Sequence, residues 1–127
     1  MENLVILTSP ETPYFPKVNF NVDTGLCEII GESFMEETYK FYAPLMTWLE
    51  QFIAQKKKVL LNIKLTYFNT SSSRSILDIL DLLREYQDNG GEIEVNWFYD
   101  PNDPDMEDEV EDFKIESGLD INLKPFK

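Results

Sequence analysis

Apolar residues recur along this chain with two periods, and the switches between them lay out its elements. Val18, Phe20 and Val22 alternate with Asn19 and Asn21, the period-two pattern of a strand with one buried face. Leu4-Val5-Ile6-Leu7 reads as a short strand before it and Leu26-Cys27-Glu28-Ile29-Ile30 as a returning one. Asp23-Thr24-Gly25 between the last two supplies the turn of a β-hairpin. The prolines at 10, 13 and 16 predict an extended connection from Ser9 to Pro16. Gly31 is expected to end the third strand. Ser33 and Glu36 have the spacing of a capping box, which predicts a first helical turn there.

The period then lengthens. Leu45, Trp48, Leu49 and Phe52 fall at i, i+3, i+4 and i+7, with Thr47, Glu50, Gln51 and Gln55 opposite, which predicts an amphipathic helix lying on a sheet. Pro44 suits the first turn of such a helix, and an interior placement would kink it. Lys56-Lys57-Lys58 suits the helix's C-terminal end electrostatically. Lys58 to Leu65 reads as a central strand. Ile76, Ile79, Leu80 and Leu83, widened by Leu77 and Tyr86, form the stripe of a second helix. Its polar side holds Arg74, Asp78, Asp81, Arg84, Glu85 and Asp88, and the pairs Arg74–Asp78 and Arg84–Asp88 are four apart. Asn89-Gly90-Gly91 closes that helix, and Glu92 to Tyr99 is a strand. After the break Asp100-Pro101-Asn102-Asp103-Pro104, Met106, Val110 and Phe113 make the inner stripe of a third helix. Gly118 ends it, and Ile121-Asn122-Leu123 is the last strand.

The order β-β-β-α-β-α-β-α-β predicts an α/β fold. Residues 1–127 are expected to form a single compact domain with a mixed sheet, an N-terminal hairpin and parallel βαβ units. The pattern does not say whether the helices cover one face of the sheet or both.

Composition narrows the function. With 43% hydrophobic and 13% aromatic residues the chain belongs among globular proteins. A net charge of −13 argues against nucleic acid and anionic membranes as partners. Residues 100–116 concentrate nine of the acids against Lys114 alone, which suits either an exposed solubilising helix or a module that docks a basic partner. The absence of histidine removes Ser-His-Asp and Cys-His catalysis and His-containing zinc sites. A single cysteine, Cys27, is expected as a small buried hydrophobe and fits a reducing cytoplasm. The start of the chain lacks the pattern of a signal peptide, and no apolar run is long enough to span a membrane.

The strongest candidate for chemistry is Asn69-Thr70-Ser71-Ser72-Ser73-Arg74-Ser75, five hydroxyls where a strand hands over to a helix. Helix-entrance N–H groups lack internal partners and favour anions. A phosphate-binding loop would need glycines and a lysine, and the stretch has neither. One N-cap explains one hydroxyl, not five. A covalent phosphate adds about −1.5 to −2 charges, which helix N–H groups and Arg74 are placed to bind. An enzymatic alternative would use Asp78 or Asp81 with a hydroxyl nucleophile, but no base activates it.

Tyr67-Phe68-Asn69-Thr70-Ser71-Ser72, followed by Ile76-Leu77-Asp78-Ile79-Leu80-Asp81-Leu82-Leu83, resembles the signature of the SiaC family of bacterial regulatory phosphoproteins. Thr12-Pro13, the Gly25 turn, Gly31-Glu32-Ser33, Phe41-Tyr42 with Pro44, Trp48-Leu49 and Trp97-Phe98-Tyr99 extend the resemblance over nearly the whole chain. Phe34-Met35-Glu36-Glu37 departs from the Tyr-Pro-Glu-Asn-like turn usual there. The resemblance implies a fold like that of STAS-type anti-sigma-factor antagonists and a non-enzymatic role without cofactor. It places the phosphorylated threonine on Thr70, flanked by Asn69, Ser71, Ser72, Ser73 and Arg74. It implies a Ser/Thr kinase, a PP2C-type phosphatase and a diguanylate cyclase as protein partners, with cyclic-di-GMP output following phosphorylation state. A partner-switching protein of the anti-sigma-factor-antagonist kind is the alternative, and a small-ligand-binding domain or enzyme a more distant one.

Overall fold

The computed structural model describes residues 1–126. Its elements are β1 (Leu4–Ile6), β2 (Lys17–Phe20), β3 (Leu26–Ser33), α1 (Thr38–Ile53), β4 (Val59–Phe68), α2 (Thr70–Asp88), β5 (Ile93–Tyr99), α3 (Pro104–Ser117) and β6 (Ile121–Pro125). The expected order of elements holds throughout.

The strands form one sheet in the order β1-β2-β3-β4-β5-β6. The first three pair antiparallel and β3 to β6 pair parallel. Each helix therefore carries the chain one strand further in the same direction. Right-handed crossovers that all advance one way place their helices on a single face, where α1 packs beside α2 and α2 beside α3. Val18, Phe20, Cys27, Ile29, Val59, Leu61, Ile63, Leu65, Val95 and Trp97 meet the expected stripes of the three helices in one core. Burial pushes the Cys27 thiol up to about 12, so it behaves as the small apolar filler expected of it.

One covered face explains why the strands alternate instead of reading as continuous apolar runs. The uncovered face carries an in-register polar row of Asn19, Glu28, Asn62, Asn96 and Asn122. Asn96 donates to Asn62 at 2.9 Å and accepts from Asn122 at 3.0 Å.

Three local expectations fail, each because tertiary contacts overrule a short pattern. The prolines between Ser9 and Pro16 do not give an extended run: Thr12 N–H bonds back to Ser9 O and Phe15 N–H to Thr12 O, two successive turns. Gly31, at φ +127°, lies within β3 rather than ending it. Ser33 is not a cap. It is the fully buried last residue of β3, and α1 begins only at Thr38 behind Glu37, which makes no side-chain cap bond. Pro44 accordingly lies inside α1, which remains one continuous helix. Gly25 is required at the hairpin turn, because φ is +77° and a Cβ would collide with the carbonyl oxygen of Lys58.

Candidate functional site

The hydroxyl cluster sits where β4 becomes α2, and a bulge sets its position. Gly31 opposes Leu65 but Glu32 opposes Tyr67, so Thr66 is an extra residue on β4. Without that insertion the alternation would turn Phe68 outward. With it, Tyr67 is exposed and Phe68 points inward, against Trp97 at 5.9 Å and Phe113 at 5.7 Å between ring centroids. Trp97 and Phe113 stack on each other at 5.6 Å, giving the turn a rigid aromatic base.

Asn69 follows in an extended conformation (φ −85°, ψ 175°) as the N-cap of α2. Its Oδ1 accepts from Ser72 N–H at 2.9 Å, satisfying one of the helix's orphan donors. Its Nδ2 donates to Met35 O at 3.2 Å, and its own N–H donates to Ser33 O at 3.0 Å. The cap is thereby tied to β3 and to the segment that joins it to α1.

The hydroxyls behind it divide by role. Ser72 is fully buried, with its Oγ 2.7 Å from Ser33 Oγ, which in turn lies 2.8 Å from the Tyr42 hydroxyl. Burial pushes the Tyr42 phenol up to about 12, with the Ser33 bond acting in the opposite direction. Ser71 Oγ lies 2.7 Å from Thr38 Oγ1, linking the first turns of α2 and α1. Ser73 Oγ donates to Thr70 O at 2.7 Å. Thr70 is the first residue of α2 and is exposed, and among the described residues its Oγ1 enters no hydrogen bond. Arg74, one turn further on, reaches Asp78 at 3.2 Å in a largely exposed pair. Ser33 and Tyr42 lie far from this cluster along the chain, so sequence spacing does not link them to it.

Thr70 opens onto a groove of about 400 Å³ between α2 and α3, with Phe68, Leu77 and Phe113 at its base and Glu109, Asp112 and Glu116 along its α3 wall. Glu109 is raised above the ordinary carboxyl range, first by partial desolvation and then by Asp103, Asp105 and Asp112. Asp78 and Asp81 lie elsewhere, lining the groove between α2 and α1. Ser75 lines that groove with them, whereas Thr70 does not. Among the described residues no group of three or more Cys, Asp or Glu side chains is arranged to hold a metal ion, and no helix is long and apolar enough to cross a membrane.

Residues 9–126 match the model of the SiaC family of regulatory phosphoproteins. The chain is 31% identical over 106 residues to an uncharacterized protein of Pseudomonas aeruginosa strain UCBPP-PA14, covering 83% of this chain and 84% of that one. Its fold is similar to apo-SiaC of Pseudomonas aeruginosa, with a TM-score of 0.90, 26% identity, and 98% and 99% of the two chains covered. The same TM-score and identity hold against SiaC in a crystal structure of the diguanylate cyclase SiaD in complex with SiaC, its activator, at 97% and 99% coverage.

Proposed function

This chain belongs to the SiaC family of regulatory phosphoproteins, and we propose that it is a non-enzymatic switch acting in the cytoplasm through reversible phosphorylation of Thr70. The observation that carries the reading is the isolation of that hydroxyl. It stands exposed at the first position of α2, while its neighbours Ser71, Ser72 and Ser73 are engaged in bonds that hold the helix entrance. A phosphate there meets the unpaired N–H groups of the first turn, and it competes with Asp78 for Arg74 on the same helix face. Across the groove it meets Glu109, Asp112 and Glu116, so the added charge sharpens an existing acidic field. Ser72 cannot stand in for Thr70, because its oxygen is sealed between β3 and α1.

Reversible threonine phosphorylation requires a Ser/Thr kinase and a phosphatase, and the family resemblance implies one of the PP2C type. By similarity to SiaC bound to SiaD, a diguanylate cyclase is the output partner. The test begins with intact-mass and fragment analysis of the protein from its native cells, expected to place one phosphate on Thr70. Pull-downs with the parent, Thr70→Ala and Thr70→Asp follow, and the Asp form is expected to lose or exchange a partner that the Ala form keeps. Equal recovery of every partner by all three forms, or phosphate found only elsewhere, overturns the reading.

A further inference from the structure

The helix layer holds a second groove that the Thr70 switch does not use. It runs between α1 and α2 and encloses about 500 Å³. Its floor is the half-buried Ala43, Met46 and Leu82, over the buried Tyr42. Glu50 on one wall and Asp78, Asp81 and Glu85 on the other line its rims. No lysine or arginine lines it, and Arg74 neutralises only Asp78. Tyr39, 81% exposed, stands at one end.

We propose that this groove receives an amphipathic helix of a partner protein, with apolar side chains facing inward and lysine or arginine along both flanks. The inference rests on the reading that the chain works by binding a protein partner, and it specifies what that partner presents. Two neighbouring parallel helices leave a channel along their axes that a third helix fits. The lining on α2 extends from Ser75 to Glu85, about 15 Å, long enough for anchors at i, i+3 or i+4, and i+7. Met46 supplies an adaptable apolar surface. Charge selects the occupant. A second copy of this chain is a poor fit, because its α3 carries a single lysine and both arginines of its α2 are paired within their own helix. Two such chains would set carboxylates against carboxylates.

The test uses the full, unmodified chain. The probe is a fluorescein-labelled synthetic helix of about five turns, with leucines on one stripe and lysines on both flanks. A control helix carries glutamate in place of lysine. The parent is expected to bind the lysine helix and not the glutamate one. Asp81 and Glu85 are exposed, so D81K/E85K should fold as the parent does, a point checked by circular dichroism. It should lose about tenfold or more in affinity for the lysine helix and gain binding to the glutamate helix. Neutralising α3 (Glu107→Gln, Asp108→Asn, Glu111→Gln, Asp112→Asn) should leave binding unchanged, and amide shifts on binding should cluster at Ala43, Met46 and Leu82. Absence of binding, loss only in the α3 variant, shifts on α3 or the uncovered sheet face, or self-association abolished by D81K/E85K would overturn the proposal. Because Thr70 is unmodified throughout, a failure here leaves the switch standing, and a failed switch leaves this groove standing.

Discussion

Helices α2 and α3 begin with the same device and face one groove, yet their first turns are charged differently. Asn69 caps α2 by accepting from Ser72 N–H, and Asp103 caps α3 by accepting from Met106 N–H. Past the cap, α3 supplies its own anions, Asp105 and Glu107, against the positive end of its dipole. The first turn of α2 contains no acid and only hydroxyls. In a chain of net charge −13, that is a conspicuous gap. One entrance is already neutralised by its own sequence, and the other is left for a charge to be added later. The comparison also shows why the acids of residues 100–116 matter to the switch: they form the far wall of the groove into which that charge would be placed.

The largest effect should come from treating the hydroxyls of α2 as interchangeable. Ser72→Asp puts a carboxylate into a fully buried network with no cation, and should cost several kcal/mol in urea unfolding or abolish folding. Stability within about 0.5 kcal/mol of the parent would mean that the Ser72–Ser33–Tyr42 chain is not the structural tie described here. Removing the caps tests the likeness of the two entrances. Asn69→Ala and Asp103→Ala should each lose about 1 kcal/mol, Asn69→Ala the more of the two because its amide also holds Met35 O.

The charge difference itself is a smaller quantity, and its signs should be opposite at the two ends. Thr70→Asp should gain about 0.3–1 kcal/mol at low ionic strength, while Asp105→Asn loses a similar amount, and both effects should shrink in 1 M salt. A loss of stability in Thr70→Asp would indicate that the α3 acids outweigh the α2 dipole at that position.

The smallest effect concerns Glu109. Its folded pKa lies above the ordinary 4.5, so the folded state holds its proton more tightly than the unfolded chain. Its contribution to stability is therefore fully present below the unfolded value and lost as pH rises through the folded one. Glu109→Gln should raise the thermal midpoint slightly at neutral pH and leave it unchanged in acid. A midpoint lowered at neutral pH would show that the acidic wall is not under repulsion.

Most elements were legible because period, cap and breaker agreed at each of them. α3 is the clearest case: Asp103 before Pro104, an apolar stripe of Met106, Val110 and Phe113, then Gly118 at φ +75°. The failures are equally physical. Gly31, Ser33 and Glu36 offered a strand stop and a capping box within six residues, signals each worth about 1 kcal/mol. Pairing of β3 with β4 past the bulge and burial of Ser33 beside Tyr42 and Ser72 outweigh both. At the site, spacing along the chain shows a hydroxyl-rich entrance to α2, the family resemblance alone singles out Thr70, and the Asn69 cap emerges only in the fold. The bonds of Ser71 to Thr38 and of the buried Ser72 to Ser33 are not legible in that spacing, since these partners lie 33 and 39 residues away.

The sequence by itself determined the identity and order of the elements, the acidity of the third helix and the cluster of hydroxyls at the second, because these depend on local spacing and side-chain chemistry. Only the tertiary structure decided that all three helices share one face of the sheet, that an extra residue at Thr66 turns Phe68 inward, and that Ser71, Ser72 and Ser73 are bonded while Thr70 is left without a bond. Those outcomes depend on strand register and on contacts between segments far apart in the chain, where burial energies exceed any local preference.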